Sequence, residues 1–79
     1  MRRKVSILGA TGSVGGSTLD LVTRSPNRFE VVALTAATNA AALAEAARKT
    51  AAQLAVIADE DRLPDLQQAL AGTNCRAAT

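Results

Sequence analysis

Val5-Ser6-Ile7-Leu8-Gly9-Ala10-Thr11-Gly12-Ser13-Val14-Gly15 runs a short apolar strand straight into a glycine-rich turn that opens a helix. That is the architecture of a dinucleotide pyrophosphate cradle. Gly9 and Gly12 let the backbone bend sharply and approach a phosphate, while the first N–H groups of the following helix point at its charge. The spacing Gly9-x-x-Gly12-x-x-Gly15 is not the commoner G-x-G-x-x-G, and a strand-to-helix turn that merely needs glycines remains open. Thr11 and Ser13 add hydroxyls suited to phosphate oxygens, or to ordinary helix capping.

Outward from this turn, short apolar runs alternate with helical spacing, which predicts βαβ units in a parallel sheet. The first strand is expected over residues 4–8. The helix after the turn presents Val14, Thr18, Leu21 and Val22 on one face and ends before Ser25-Pro26-Asn27, because Pro26 disfavours helical geometry at Ser25. A second strand over residues 30–35 carries the unbroken Val31-Val32-Ala33-Leu34 expected where both faces of a sheet are covered. Thr38 or Asn39 caps the next helix, whose narrow contact face is Leu43, Ala46, Ala47 and Ala51, with Glu45, Arg48 and Lys49 outward.

A third strand is expected over residues 54–58. Asp59-Glu60-Asp61 then places acids where a helix striped by Leu63, Leu66 and Leu70 begins; Pro64 suits its first turn and Gly72 its end. Residues 75–78 begin a fourth strand. The fold class is therefore α/β, a Rossmann-like parallel sheet in which three βα units (βαβαβα) form an incomplete, N-terminal portion. In the usual order the glycine-bearing strand is central, with the second strand on one side and a fourth on the other. With that fourth strand only begun, one side of the first strand is expected to lie unpaired.

Seventy-nine residues make one small domain, which buries only about 60% of its unfolded surface. The composition is 48% hydrophobic, but alanine dominates that fraction and Phe29 is the single aromatic, so large core side chains are few. Nine basic against seven acidic residues give too little charge for a nucleic-acid footprint. The apolar run after Arg2-Arg3-Lys4 is far too short for a signal core or a membrane span. Cys75 is the lone cysteine and histidine is absent, so neither an internal disulfide nor a zinc site is expected, and a reducing, cytoplasmic setting is the default. Helix-start electrostatics account for Asp59, Glu60, Asp61 and Asp65 without a metal, and Asp20 and Arg24 stand at i, i+4 on a solvated face.

Sites that take NAD usually carry a carboxylate at the end of the second strand, about 20 residues beyond the turn, to bond the ribose hydroxyls. Here that end reads Thr35-Ala36-Ala37-Thr38-Asn39, without an acid. The missing carboxylate favours NADP over NAD. No Arg or Lys occupies the loop either, so recognition of the 2′-phosphate falls to Thr38, Asn39 and backbone N–H groups, or to residues elsewhere.

The string Ile7 through Gly15, followed at once by Ser17-Thr18-Leu19-Asp20, closely resembles the opening of the 1-deoxy-D-xylulose 5-phosphate reductoisomerase family. Pro26-Asn27-Arg28-Phe29 before the second strand, Asn39 opening the second helix and Ala55-Val56-Ile57-Ala58-Asp59 agree in order and spacing, so the resemblance covers essentially the whole chain. It implies an enzyme of non-mevalonate isoprenoid biosynthesis that rearranges a sugar phosphate and reduces it with NADPH to 2-C-methyl-D-erythritol 4-phosphate. It also implies a homodimer and a divalent magnesium or manganese ion. By that similarity Thr11, Gly12, Ser13 and Val14 bind the NADPH phosphates, and Ala37, Thr38 and Asn39 lie at the adenosine end. Many members have Gly-Lys-Asn where this chain has Ala37-Thr38-Asn39, so the basic contact to the 2′-phosphate is lost from the loop.

The family's metal-binding carboxylates and substrate contacts lie beyond residue 79. Residues 1–79 are thus expected to be the N-terminal part of a cofactor domain, with no catalytic or metal-binding residues of their own and no turnover alone. Two other readings are another NADP-dependent oxidoreductase, an extended short-chain or semialdehyde dehydrogenase, and a free-standing nucleotide-binding module.

Overall fold

The computed structural model describes residues 2–79, the side chains of Ser13 and Val14 excepted. Elements follow in the order β1 (Arg3–Ile7), α1 (Ser13–Arg24), β2 (Phe29–Ala36), α2 (Ala40–Thr50) and β3 (Leu54–Ile57). A single 3-10 turn over Glu60–Arg62 then leads into α3 (Leu63–Ala69) and β4 (Arg76–Ala78).

The four strands are parallel and stand in the order β1-β2-β3-β4. The fourth strand does form, but it pairs with β3 and not with β1. It joins the outer edge because α3 packs beside α2 and delivers the chain one step further in the same direction. The side of β1 away from β2 has no strand among the described residues, as expected from the sequence.

Right-handed crossovers in a steadily advancing strand order put all three helices on one face. The thinnest dimension, 15 Å, is that of two layers. This corrects the expectation drawn from Val31-Val32-Ala33-Leu34: Val31 and Leu34 are buried under the helices, while Val32 and Ala33 are only half-buried. A shift in the β1–β2 register, between the pairs Val5↔Val31 and Ser6↔Ala33, gives β2 one extra residue, so that Val31 and Leu34 both end up on the helix side.

The core joins Ile7, Leu34, Ala55 and Ile57 from the sheet to Val22, Leu43, Leu66 and Leu70 from the helices and the turn after α3. Half of the buried apolar residues among those described are alanines, including Ala40, Ala44, Ala46 and Ala47 of α2. Small side chains let α2 lie close to the sheet. Ala51 lies past the helix, exposed and in the left-handed region at φ 54°, and Ala52 takes the buried position instead.

The phase of α1 differs from the sequence reading. Val22 is buried and Leu19 packs against the core, whereas Leu21 is 59% exposed and Thr18 is exposed. Val14, placed on the same face by the sequence, is among the side chains not described. The rotation follows from Gly15, which is buried where α1 touches the turn. Helical spacing from Gly15 brings Leu19 and Val22 to the sheet.

Asn39 Oδ1 accepts from the Ala42 N–H at 3.0 Å, which settles the choice of cap for α2. Such a cap contributes about 1 kcal/mol. Arg48 was expected outward, and its charge does reach the surface, but its guanidinium donates to Ala69 O at 2.8 and 3.1 Å and to Ala71 O at 3.1 Å. It satisfies carbonyls at the C-terminal end of α3 and ties α2 to it. The ion pairs Asp20–Arg24 and Glu45–Lys49, both 3.1 Å and well exposed, contribute little. No helix among the described residues is long and apolar enough to cross a membrane.

Candidate functional site

Because the strands are parallel, the segments after β1, β2 and β3 gather along one edge of the sheet, where open α/β folds bind ligands. Residues 8–12, 37–39 and 58–62 occupy that edge. Backbone hydrogen bonds lash them together: Ala10 N–H to Thr35 O at 2.8 Å, Ala58 N–H to Ala36 O at 3.0 Å and Asp59 N–H to Ala37 O at 3.0 Å.

In the glycine turn, Gly9 sits at φ +64°, a left-handed conformation costly for residues with a Cβ. Gly12 is the N-cap of α1 in extended geometry, and its N–H donates to Gly9 O at 2.9 Å. Gly12 has no side chain with which to cap this helix start, and the first turn carries no acid. The N-terminal N–H groups of a helix lack intrahelical partners, so an uncapped start of this kind suits an anion. Gly15 permits the closeness: a Cβ there would fall 2.0 Å from Gly9 O and 2.6 Å from Gly9 C. A bare cradle of backbone donors, closed where Gly15 leaves no room for a Cβ, matches the pyrophosphate of a dinucleotide.

Of the residues singled out in the sequence, Gly9, Thr11 and Gly12 are exposed at the turn and Gly15 is buried beneath it. Ser13 and Val14 contribute backbone to the first turn of α1; their side chains are not described. A groove of about 460 Å³ beside the turn is lined by Leu8, Gly9, Gly12 and Thr18. Leu8, 78% exposed, is its apolar wall. Ala37, Thr38 and Asn39 are exposed at the tip of β2. Capping uses the acceptor oxygen of the Asn39 amide, so the donor end is what this residue offers a ligand.

Two residues at this edge escape a reading by motif. Thr35 Oγ1 accepts the Gly9 N–H at 2.9 Å, so the tip of β2 holds the turn in shape. The β1–β2 register, with Ile7 opposite Leu34, is what brings Thr35 to Gly9. Thr35→Val keeps the shape and deletes the acceptor; we expect a loss of about 1 kcal/mol of stability in denaturant unfolding, and an unchanged midpoint would remove Thr35 from this role. The second is Arg62, which shares a groove of about 360 Å³ with Thr38 and Asn39.

The acids after β3 serve the local fold. Asp59 Oδ1 accepts from the Asp61 N–H at 3.0 Å, and Arg62 lies 4.0 Å from Asp59 and 3.8 Å from Asp65. Cys75 is half-buried, and that burial pushes its thiol above the ordinary range, leaving little thiolate at neutral pH.

Comparison with known proteins gives a consistent picture. The family model described as 1-deoxy-D-xylulose 5-phosphate reductoisomerase matches residues 5–79. Proteins of that name are 53% identical over 77 residues in Jannaschia sp. (strain CCS1) and 54% identical over 76 residues in Zymomonas mobilis; the matches cover 98% and 96% of this chain. The solved structure of the Zymomonas mobilis reductoisomerase in complex with NADPH superposes with a TM-score of 0.97 at 52% identity over 99% of the chain. A crystal structure of DOX-P reductoisomerase in complex with magnesium gives 0.86 at 29% identity over the whole chain. The chain spans about a fifth of the length of these relatives.

Proposed function

The chain belongs to the 1-deoxy-D-xylulose 5-phosphate reductoisomerase family, and from that premise we propose that residues 1–79 are the N-terminal, NADPH-binding part of such an enzyme. The observation that carries this reading is the turn: Gly9 left-handed, Gly12 bare at the N-cap and Gly15 with no room for a Cβ. The backbone N–H groups of Thr11, Ser13 and Val14 face the pyrophosphate, while Gly12, whose own N–H is held by Gly9 O, lets it come close, and residues 37–39 lie at the adenosine end. The likeness to the NADPH complex of the Zymomonas mobilis enzyme supports NADPH as the cofactor.

The bound cofactor supplies a hydride. What this chain supplies is binding and orientation: a preorganised set of donors, a rigid tip of β2 tied to Gly9 through Thr35, and an edge free of carboxylates at residues 35–39. The whole protein then converts 1-deoxy-D-xylulose 5-phosphate to 2-C-methyl-D-erythritol 4-phosphate in the cytoplasm, as a homodimer using magnesium or manganese. The match across residues 5–79 sets this reading ahead of a short-chain or semialdehyde dehydrogenase and of a free-standing module.

Calorimetric titration of the purified protein with NADPH and with NADH tests it. We expect NADPH to bind at least about tenfold more tightly, the scale of one charge-assisted phosphate contact. A folded protein that binds neither would overturn the proposal.

A further inference from the structure

The 37–39 loop lacks the basic residue that a 2′-phosphate calls for, yet a guanidinium stands across the groove from it. We propose that Arg62 is the cationic contact for the 2′-phosphate of NADPH and hence the residue that separates NADPH from NADH. The proposal rests on the cofactor-binding reading above and adds a specificity-determining residue to it.

The fold brings Arg62 there by a short, fully specified path. Pairing of Ala36 with Ile57, continued by the Ala58 and Asp59 N–H bonds to Ala36 O and Ala37 O, lays the start of the β3–α3 connection against the 37–39 loop. Asp59 then caps a tight 3-10 turn, Glu60–Arg62, whose last residue reaches the groove that Thr38, Asn39 and the first residues of α2 line on the other side. A phosphate in this groove meets the Asn39 side chain, the start of α2 and Arg62 at once.

Present partners leave Arg62 available. Asp59 and Asp65 sit 4.0 and 3.8 Å from it, at the outer limit of ion pairing, and the Arg62 side chain is 56% exposed. Contacts this long in solvent contribute little. A phosphate accepting two N–H bonds from the planar guanidinium is the stronger partner. Other charges nearby are acidic: Asp65 lines the same groove, and Glu60 and Asp61 are exposed on the 3-10 turn. With no other cation lining the groove among the described residues, the preference depends on Arg62, and Asp65 opposes it.

The test measures dissociation constants of the purified protein for NADPH and NADH, with 2′,5′-ADP and 5′-AMP as probes of the phosphate alone. Arg62→Ala is expected to weaken NADPH and 2′,5′-ADP at least about tenfold, leaving NADH and 5′-AMP within about twofold. Arg62→Lys retains part of the preference, and Asp65→Asn tightens NADPH because it removes the competing charge. Arg24→Ala, which deletes an equal charge from the far end of α1, leaves the ratio unchanged. A preference that persists in Arg62→Ala, or an equal loss for both cofactors, overturns the assignment of Arg62 while the cofactor-binding reading stands. Equal affinity for both cofactors in the unaltered protein also overturns it; failure to bind either overturns both.

Discussion

Gly15→Ala is expected to lower the unfolding free energy by about 3 kcal/mol, the upper part of the range for overpacking, and to cost the protein its dinucleotide affinity. The added Cβ would stand 2.0 Å from Gly9 O, 2.6 Å from Gly9 C and 3.0 Å from Ala10 Cα. All three are backbone atoms, so no rotamer change relieves the clash. Either α1 retreats from the strand or the turn opens, and both movements pull the helix N-terminus away from the phosphate position. The neighbouring Gly16 supplies the control, since a Cβ there meets nothing within 4 Å. Gly16→Ala lies inside the same helix and is expected to stabilise by about 0.5–1 kcal/mol through the unfolded chain's lost freedom. Two identical substitutions one residue apart thus carry opposite signs, readable in urea unfolding and in NADPH titration. A Gly15→Ala protein as stable as the parent would show that the turn does not need this contact.

Leu34→Ala carries the second large effect. Leu34 is completely buried on β2, between β1 and β3 and beneath the helices. Truncating such a leucine costs about 2–5 kcal/mol. A domain of this size has a total stability of roughly 4–12 kcal/mol, so the loss is a large share of it. At about 4–8 °C per kcal/mol for small domains, a 3 kcal/mol loss lowers the melting temperature by roughly 12–24 °C. The alanine-rich surroundings sharpen the effect, because a core with few large side chains has few neighbours able to fill the void. Leu21→Ala is the comparison: at 59% exposure it is expected to change stability by less than about 0.5 kcal/mol. The sequence periodicity put Leu21 on the core face of α1, so equal melting shifts for the two variants would vindicate that phase over the one in the structure.

Much of the candidate site was legible because its signals are local. Gly9, Gly12 and Gly15 announce a sharp turn and a close approach within seven residues, and the structure uses Gly9 for its left-handed φ and Gly15 for contact. Thr38 or Asn39 ahead of an alanine-rich run reads as a cap, and Asn39 is the one that serves. Thr35 and Arg62 were not legible as site residues. Thr35 ends an apolar strand, and nothing within several residues says that its hydroxyl meets Gly9, 26 positions away. Arg62 reads as one charge in an acidic helix start, and only the pairing of β2 with β3 sets it across from Thr38 and Asn39.

Taken alone, the amino-acid sequence determined the kinds and order of the elements, the glycine turn, a cap at Thr38 or Asn39 and the i, i+4 spacing of Asp20 and Arg24, since each depends on interactions within about one helical turn or on strand periodicity. Tertiary structure alone decided the rotation of α1 that packs Leu19 against the core and exposes Leu21, the seating of β4 beside β3, the single helical layer and the company Arg62 keeps. The reason is physical. Helical phase and strand order are chosen by which distant surfaces fit closest, and here the fit is set where Gly15 meets the backbone of Gly9 and where small alanines let α2 settle onto the sheet.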